Sequence, residues 1–305
     1  MTSATRIESL RTDEARFADL PGWPWRPHYR DDLPGYAGLR VAYVDEGPKD
    51  AGHVFLCLHG QPTWGYLFRR MIPAFLAAGG RVVAPDLLGF GRSDKPVEDA
   101  VYTFDFHRRM LVAFVEALDL RRVTLVVQDW GGLLGLTLPP AMPARFDRLI
   151  VMNTAFATGD APPGPGFLAW RDWNRRNPDM NIAALMKRST PHMTDAEAAA
   201  YAAPFPDARF KAGVRRFPDL VPLSPDAPGT EVSRAARDWW RTEWQGRSFM
   251  AIGVADPVIG LGPMRALHAH IRGCPPPLEI AAAGHFVQEW GEEVAAAALA
   301  VFGGR

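Results

Sequence analysis

The sequence predicts an α/β protein: a mostly parallel central sheet with helices on both faces. Three observations predict it. From about residue 37 to 155, short apolar runs alternate with helically spaced ones; the strand-like runs end at turn-forming glycines; and such runs resume near the C-terminus after a long stretch without them. A chain of 305 residues can hold one large domain, or one domain with an insertion. Its composition, 48% apolar and 22% charged, is globular rather than disordered. Lys plus Arg equal Asp plus Glu at 34 each, so there is no basic excess to gather phosphates, which argues against a nucleic-acid partner. Apolar runs stop well short of about 18 residues, which argues against a membrane partner as well.

Taken in order, "LRVAYVDEG" alternates like a half-exposed strand, and "HVFLCLHG" and "RVVAPDLLG" read as short buried strands. "FDFHRRMLVAFVEALDL" carries Phe106, Met110, Leu111, Phe114, Val115 and Leu118 at helical spacing. "RVTLVVQ" is a buried strand, "GGLLGLTL" starts a helix stopped by Pro139-Pro140, and "RLIVMNT" is another strand. The Pro/Gly-rich "ATGDAPPGPGF" then opens a helical stretch without strong strand signals. Strands resume at "RSFMAIGVAD" and "PPLEIAAAGH", and "EEVAAAALAVF" forms a terminal helix. The simplest division is a core of residues 1–155 and 227–305, interrupted by a helical cap, 156–226.

The N-terminal stretch "MTSATRIESLRTDEARF" is polar and mixed in charge, without an apolar signal segment. Cys57 and Cys274 make no disulfide framework and read as reduced thiols, so a cytoplasmic protein is expected. No cysteine–histidine cluster has zinc spacing, and His268/His270 read as a solvated helix end rather than a metal site. Near-zero net charge predicts no interface, and a monomer is expected.

Ligands of an open parallel sheet bind beyond the carboxyl ends of its strands. The polar residues falling there are His59, Gln61, Asp86, Asp129 with Trp130, Asn153, Asp256 and His285. Val127-Gln128-Asp129-Trp130-Gly131 sits at a strand-to-helix junction and resembles the nucleophile elbow of the α/β-hydrolase fold, with aspartate where serine is usual. Val127 stands where that pattern has glycine, which predicts looser packing behind the elbow. Asp129, Asp256 and His285 each follow a strand, in the order nucleophile, acid, histidine expected for this fold. "HGQPTWGYLFR" resembles the loop that supplies the oxyanion hole, and implies the Gln61 and Trp130 N–H groups as donors. The Gln61–Pro62 bond is a candidate for cis. "DLLGFGRSDKP" has the same family look and reads as scaffold.

A carboxylate attacks carbonyl groups poorly but serves well in displacement at saturated carbon, which suits carbon–halogen bonds and epoxides. An epoxide leaves as an alkoxide and needs a proton, usually from tyrosine, whereas a halide needs only hydrogen-bond donors in a dry pocket. The cap holds one tyrosine, Tyr201, and two tryptophans, Trp170 and Trp173. An indole N–H donates and cannot accept, so it suits a large, soft anion. Trp130 supplies one such donor and Trp170 the second, with Trp173 assigned to packing.

With these features, and with "DDLPGYAGLR", "CLHGQPTW", "TLVVQDWGG", "GFLAW", "AYAAPFPD", "FMAIG" and "AGHFVQEWGE", the chain resembles the haloalkane dehalogenases. The likeness runs nearly end to end and is to the branch with two halide-binding tryptophans. It implies Asp129 as nucleophile, His285 as the base that activates water, Asp256 as its orienting acid, and Trp130 and Trp170 as halide donors. It implies a small haloalkane and halide as partners, and no cofactor or metal. Leu133, Phe167, Phe217, Pro218, Val221 and Val258 are the expected apolar lining. A second branch places its acid after an earlier strand, but that strand here ends in Asn153, which cannot serve, and this favours Asp256. Three departures are visible: Gln61 where glutamate is typical, which leaves a side-chain contact to halide open; a shorter linker before Gly166; and Ser189 where a bulky aromatic is expected. The rival readings are an epoxide hydrolase, a non-catalytic small-molecule receptor on the same scaffold, and a serine esterase, for which the elbow lacks a serine.

Overall fold

The computed structural model describes residues 7–36 and 38–303. Eight strands form one sheet: β1 (His28–Arg30), β2 (Val41–Glu46), β3 (Val54–Leu58), β4 (Arg81–Pro85), β5 (Val123–Val127), β6 (Phe146–Met152), β7 (Arg247–Gly253) and β8 (Leu278–Ile280). Their spatial order is β1-β2-β4-β3-β5-β6-β7-β8. The last six neighbours pair in parallel, while β2 runs antiparallel to both β1 and β4. Every residue of β3 and β5 is buried, which requires cover on both faces of the sheet. This is the α/β architecture the alternating pattern predicts, with β1 added at an edge where only three residues pair.

The helices follow from local chemistry. In α1 (Ile72–Ala77), Pro73 sits in the first turn, where its missing N–H costs nothing. α2 (Phe104–Ala117) is capped by Thr103, whose hydroxyl accepts from the Phe106 N–H at 3.0 Å. Its inner stripe is Phe104, His107, Met110, Leu111, Phe114 and Val115. Phe106 and Leu118, expected in that stripe, are half-buried at its flanks, because His107 takes the inner position. His107 stays buried by bonding the Leu88 carbonyl at 2.9 Å. α3 (Asp129–Gly135) begins at the elbow. Pro139 and Pro140 do not simply stop a helix. They lie in the short α4 (Leu138–Ala141), where the first turn tolerates proline.

Between β6 and β7 the chain is helical: α5 (Pro165–Arg176), α6 (Ile182–Ser189), α7 (Asp195–Ala202), α8 (Ala212–Leu220) and α9 (Thr230–Thr242). α6 packs on α7 and α5 on α8. α7 opens with a capping box, Thr194 and Glu197 exchanging side-chain and backbone bonds. α9 lies beyond residue 226 and ties back to the sheet layer, the Trp240 indole donating to the Leu136 carbonyl at 2.7 Å. α10 (Leu261–His268) packs on β7, and α11 (Gly291–Gly303) packs on α1.

Among these helices, α7 is fastened to the loops at the strand ends by buried polar bonds. Arg69 holds Glu289 through both carboxylate oxygens, at 2.7 and 2.6 Å, and reaches Glu197 of α7 at 3.0 Å. The Tyr201 hydroxyl donates to Glu289 and accepts from Arg69. The Trp64 indole donates to the Ala200 carbonyl at 3.2 Å. Among the described residues, no helix is long and apolar enough to cross a membrane.

Candidate active site

At the end of β5 the backbone turns sharply, and Asp129 adopts φ 51°, a left-handed conformation that L residues rarely take. The turn is held from two sides: the Asp129 N–H donates to the Asn153 carbonyl at 2.9 Å, and the Thr154 hydroxyl donates to the Asp129 carbonyl at 2.7 Å. The price in space is met by glycines. A Cβ on Gly131 would meet the Leu58 carbonyl oxygen at 1.9 Å, and one on Gly60 would meet the Asp129 carboxylate at 2.2 Å. Val127 does not loosen the packing behind the elbow. It is fully buried and lies against Gly135, where a Cβ would come within 2.8 Å of it, so the missing side chain at Gly135 makes the room.

The carboxylate of Asp129 has two distinct neighbours. Oδ1 accepts the Gln61 backbone N–H at 2.8 Å, and Oδ2 is 3.4 Å from Nε2 of His285. The Gln61–Pro62 bond that presents this N–H is cis. The Trp130 N–H belongs to the first turn of α3, where no intrahelical acceptor exists. The Gln61 side-chain amide donates to the Val214 carbonyl of α8 at 2.9 Å, a bond to the cap that the sequence did not suggest.

Nδ1–H of His285 donates to Oδ2 of Asp256 at 2.8 Å, which leaves Nε2 facing Asp129. The Asp256 side chain is fully buried, and burial alone would raise its pKa. The charge on His285 and the bonds from His285, Asn153 Nδ2 at 2.9 Å and the Val258 N–H at 2.8 Å outweigh that cost. They hold the carboxyl down to about 2. For His285, burial pulls the pKa down, but Asp256 and Asp129 on either side raise it well above the usual imidazole value. Asn153, one of the strand-end polar residues, has a role in the site that the sequence did not show. It cannot act as an acid, yet its amide holds Asp256 while its own oxygen accepts the Gly253 N–H at 2.8 Å. Its position at a strand end was the available signal. His59 and Asp86, also at strand ends, are scaffold: His59 accepts the Leu87 N–H, and Asp86 accepts those of Gly65 and Arg92.

These groups open into a cavity of about 980 Å³ beneath the cap helices. Leu133, Phe167, Pro218, Val221 and Val258 line it. Phe217 does not: it is fully buried behind the wall, its ring 4.7 Å from the Trp130 indole, which it braces edge-on. Trp130, Trp170 and Trp173 all face the cavity, and Trp170 stacks on Trp173 with ring centroids 5.5 Å apart. Elsewhere, Trp64, Trp240 and Trp244 donate their indole N–H groups to protein acceptors. Those of Trp130, Trp170 and Trp173 find no acceptor among the described residues. Tyr201 is absent from the lining, its hydroxyl committed to Glu289 and Arg69, and among the described residues no tyrosine lines the cavity. Among the described residues there is also no cluster of three or more His, Cys, Asp or Glu that could hold a metal ion.

Residues 53–292 match the family model of the alpha/beta hydrolase fold. The chain is 44% identical to a haloalkane dehalogenase of Psychrobacter cryohalolentis over 95% of this chain and 96% of that one. It is 42% identical to one of Mycobacterium marinum, over 93% and 95%. Among solved structures it superposes on a tetrameric haloalkane dehalogenase from Paraglaciecola agarilytica with a TM-score of 0.95, 51% identity, and coverage of 96% of this chain and 98% of that one.

Proposed function

The chain belongs to the haloalkane dehalogenases of the α/β-hydrolase fold, enzymes that hydrolyse carbon–halogen bonds, and from that premise we propose how its own residues divide the work. Oδ2 of Asp129 attacks the halogen-bearing carbon from behind. The carbon–oxygen bond forms as the carbon–halogen bond breaks, and the halide leaves toward the indole N–H groups of Trp130 and Trp170. Hydrogen bonds to a charged acceptor stabilise by roughly 1.5–3 kcal/mol each, so the pair lowers the cost of a departing anion substantially. His285 then takes a proton from water, and the hydroxide adds to the carbonyl carbon of the Asp129 ester. Oδ1 becomes the oxyanion, beside the Gln61 N–H that already contacts it and the Trp130 N–H. Collapse releases the alcohol, and the turnover yields alcohol, halide and one proton. Alkylating Asp129 removes a negative charge next to His285, which lowers its pKa and frees it to act as a base in the second step.

The observation that carries this reading is the split environment of the Asp129 carboxylate, one oxygen on a backbone N–H and the other beside His285. The absence of a cavity tyrosine among the described residues favours halide over epoxide. A monomer is the proposed unit; the tetramer described for the Paraglaciecola relative makes assembly a separate question for light scattering. Cys57 and Cys274 are both free, which supports a reducing, cytoplasmic setting. The test is to incubate the protein with 1-bromobutane or 1,2-epoxybutane and measure bromide and diol. Bromide without diol, abolished in Asp129→Ala and slowed about tenfold or more in Trp170→Phe, is the expected result. Diol as the main product, or bromide release surviving in Asp129→Ala, contradicts it.

A further inference from the structure

One proline lies inside α8. Pro218 carries no N–H, so it cannot make the bond that an α-helix directs to the carbonyl four residues back, which is that of Val214. Val214 is fully buried, where an unpaired carbonyl is costly. A donor comes instead from outside the helix: Nε2 of Gln61 donates to the Val214 carbonyl at 2.9 Å.

Gln61 is therefore held at two points. Its backbone N–H donates to Oδ1 of Asp129 at 2.8 Å, and its side chain is bonded to α8. The loop around it closes on itself, the Thr63 N–H and hydroxyl both donating to the Gly60 carbonyl at 3.0 Å, while the Trp64 indole reaches α7. Of these bonds, the one from the amide is made by the residue whose own N–H meets Asp129. The helix it reaches is firmly seated. Asn174 of α5 donates to the Arg215 carbonyl at 2.9 Å, and the Arg215 guanidinium reaches Asp99 at 2.9 Å.

Resting on the dehalogenase reading, we propose that the Gln61 side chain is a positioning residue for hydrolysis of the ester. By bonding the carbonyl that Pro218 leaves without a helical donor, it aims the Gln61 N–H at the oxyanion. The charge on Oδ1 decides which step depends on this. During alkylation Oδ2 forms the new bond and the negative charge departs with the halide, so the N–H contact with Oδ1 weakens toward the transition state. During hydrolysis hydroxide adds to the ester carbon and the charge returns to Oδ1, so the same contact strengthens. Only contacts that strengthen toward the transition state accelerate a step. Loss of the amide therefore slows hydrolysis and spares alkylation.

The experiment follows single turnovers of 1-bromobutane by rapid quench and intact-protein mass. It compares the wild type, Gln61→Met and Gln61→Ala, each alone and combined with Pro218→Ala. Melting curves accompany every variant, and if Gln61→Met fails to fold, the alanine variant carries the comparison. The expected result is ester hydrolysis slowed about tenfold or more with alkylation within about threefold of the wild type, so that butyl-enzyme accumulates. Pro218→Ala returns an N–H to the Val214 carbonyl. Measured against Pro218→Ala alone, Gln61→Met should then cost less in melting temperature, while the defect in hydrolysis remains. Recovery of hydrolysis together with melting temperature would mean that the amide merely satisfies a carbonyl, and overturns the proposal. Equal slowing of both steps, or an unchanged rate of hydrolysis, also overturns it and leaves the dehalogenase reading intact. No bromide from the wild type overturns that reading itself, and this proposal with it.

Discussion

His285 lies between two carboxylates, and its protonation state must change within one turnover. In the free protein Asp256 and Asp129 raise its pKa against the effect of burial. Once Asp129 is an ester, one of the two charges is gone, and the imidazole becomes a usable base. The two chemical steps should therefore respond differently to pH. Alkylation does not need a neutral His285, so it should not follow the titration of that imidazole. Ester hydrolysis needs neutral His285 and should fall as pH is lowered through the reduced pKa of the ester form. Rapid-quench measurements from pH 5 to 9 check this, and equal pH dependence of both steps would count against it. The same pair makes a stability statement. The raised His285 contributes fully below the unfolded imidazole value of about 6.5 and loses that contribution as pH rises through its folded value. The depressed Asp256 contributes above an unfolded value of about 3.9 and loses that contribution as pH falls toward its folded value. The pair thus supports the fold most between about pH 4 and 6.5. At this scale the sequence showed which residue types sit at strand ends, and so it exposed Asp129, Asp256 and His285. It could not show Asn153 as the residue that holds Asp256, because an amide's role depends on what faces it in space.

Among the elements, the sharpest feature is the buried junction of Arg69, Glu289, Glu197 and Tyr201. Arg69 follows the loop that presents Gln61, Glu289 follows the turn after His285, and the other two belong to α7. The side chains of Arg69 and Glu289 are 3% and 0% exposed, so neither charge has water to fall back on. Removing one partner from a buried pair costs about 3–5 kcal/mol when the other charge is left uncompensated; here Arg70, 2.6 Å from Glu197 and 3.4 Å from Glu289, offsets part of that, which puts the cost at the lower end. Arg69→Met should lower unfolding stability by that order in urea titration; a loss below about 1 kcal/mol would mean the pair is not the fastening it looks to be. The junction could not be read in advance, since its members are up to 220 residues apart and its three charged ones look like ordinary surface charges. Phase errors have a similar origin. In α2, His107 displaced Phe106 from the inner stripe, and in α8, Phe217 turned toward the back of Trp130 rather than the cavity. In each case the apolar stripe was legible and its exact rotation was set by neighbours. β1 escaped notice because three paired residues within a Pro- and Trp-rich stretch carry no alternation.

The whole molecule brings together residues from the ends of β5, β7 and β8 under a helical cover, with the Asp129 carboxylate facing the cavity. The alternation of strands and helices made the sheet legible, and the elbow with its partners in chain order made the chemistry legible. The shape of the cavity was not, because it depends on how the helices between β6 and β7 settle over the sheet. What the account claims most centrally is a covalent ester on Asp129 that His285 is needed to hydrolyse. His285→Gln keeps a polar side chain next to Asp256 but removes the base, so the first step should proceed and the second should stall. Intact-protein mass spectrometry of His285→Gln after exposure to 1-bromohexane tests this most directly. The account predicts one added hexyl group per chain, mapped by peptide digestion to Asp129, with free bromide released in equal amount. Bromide released over many turnovers without any added mass, or an alkyl group mapped elsewhere, would contradict it.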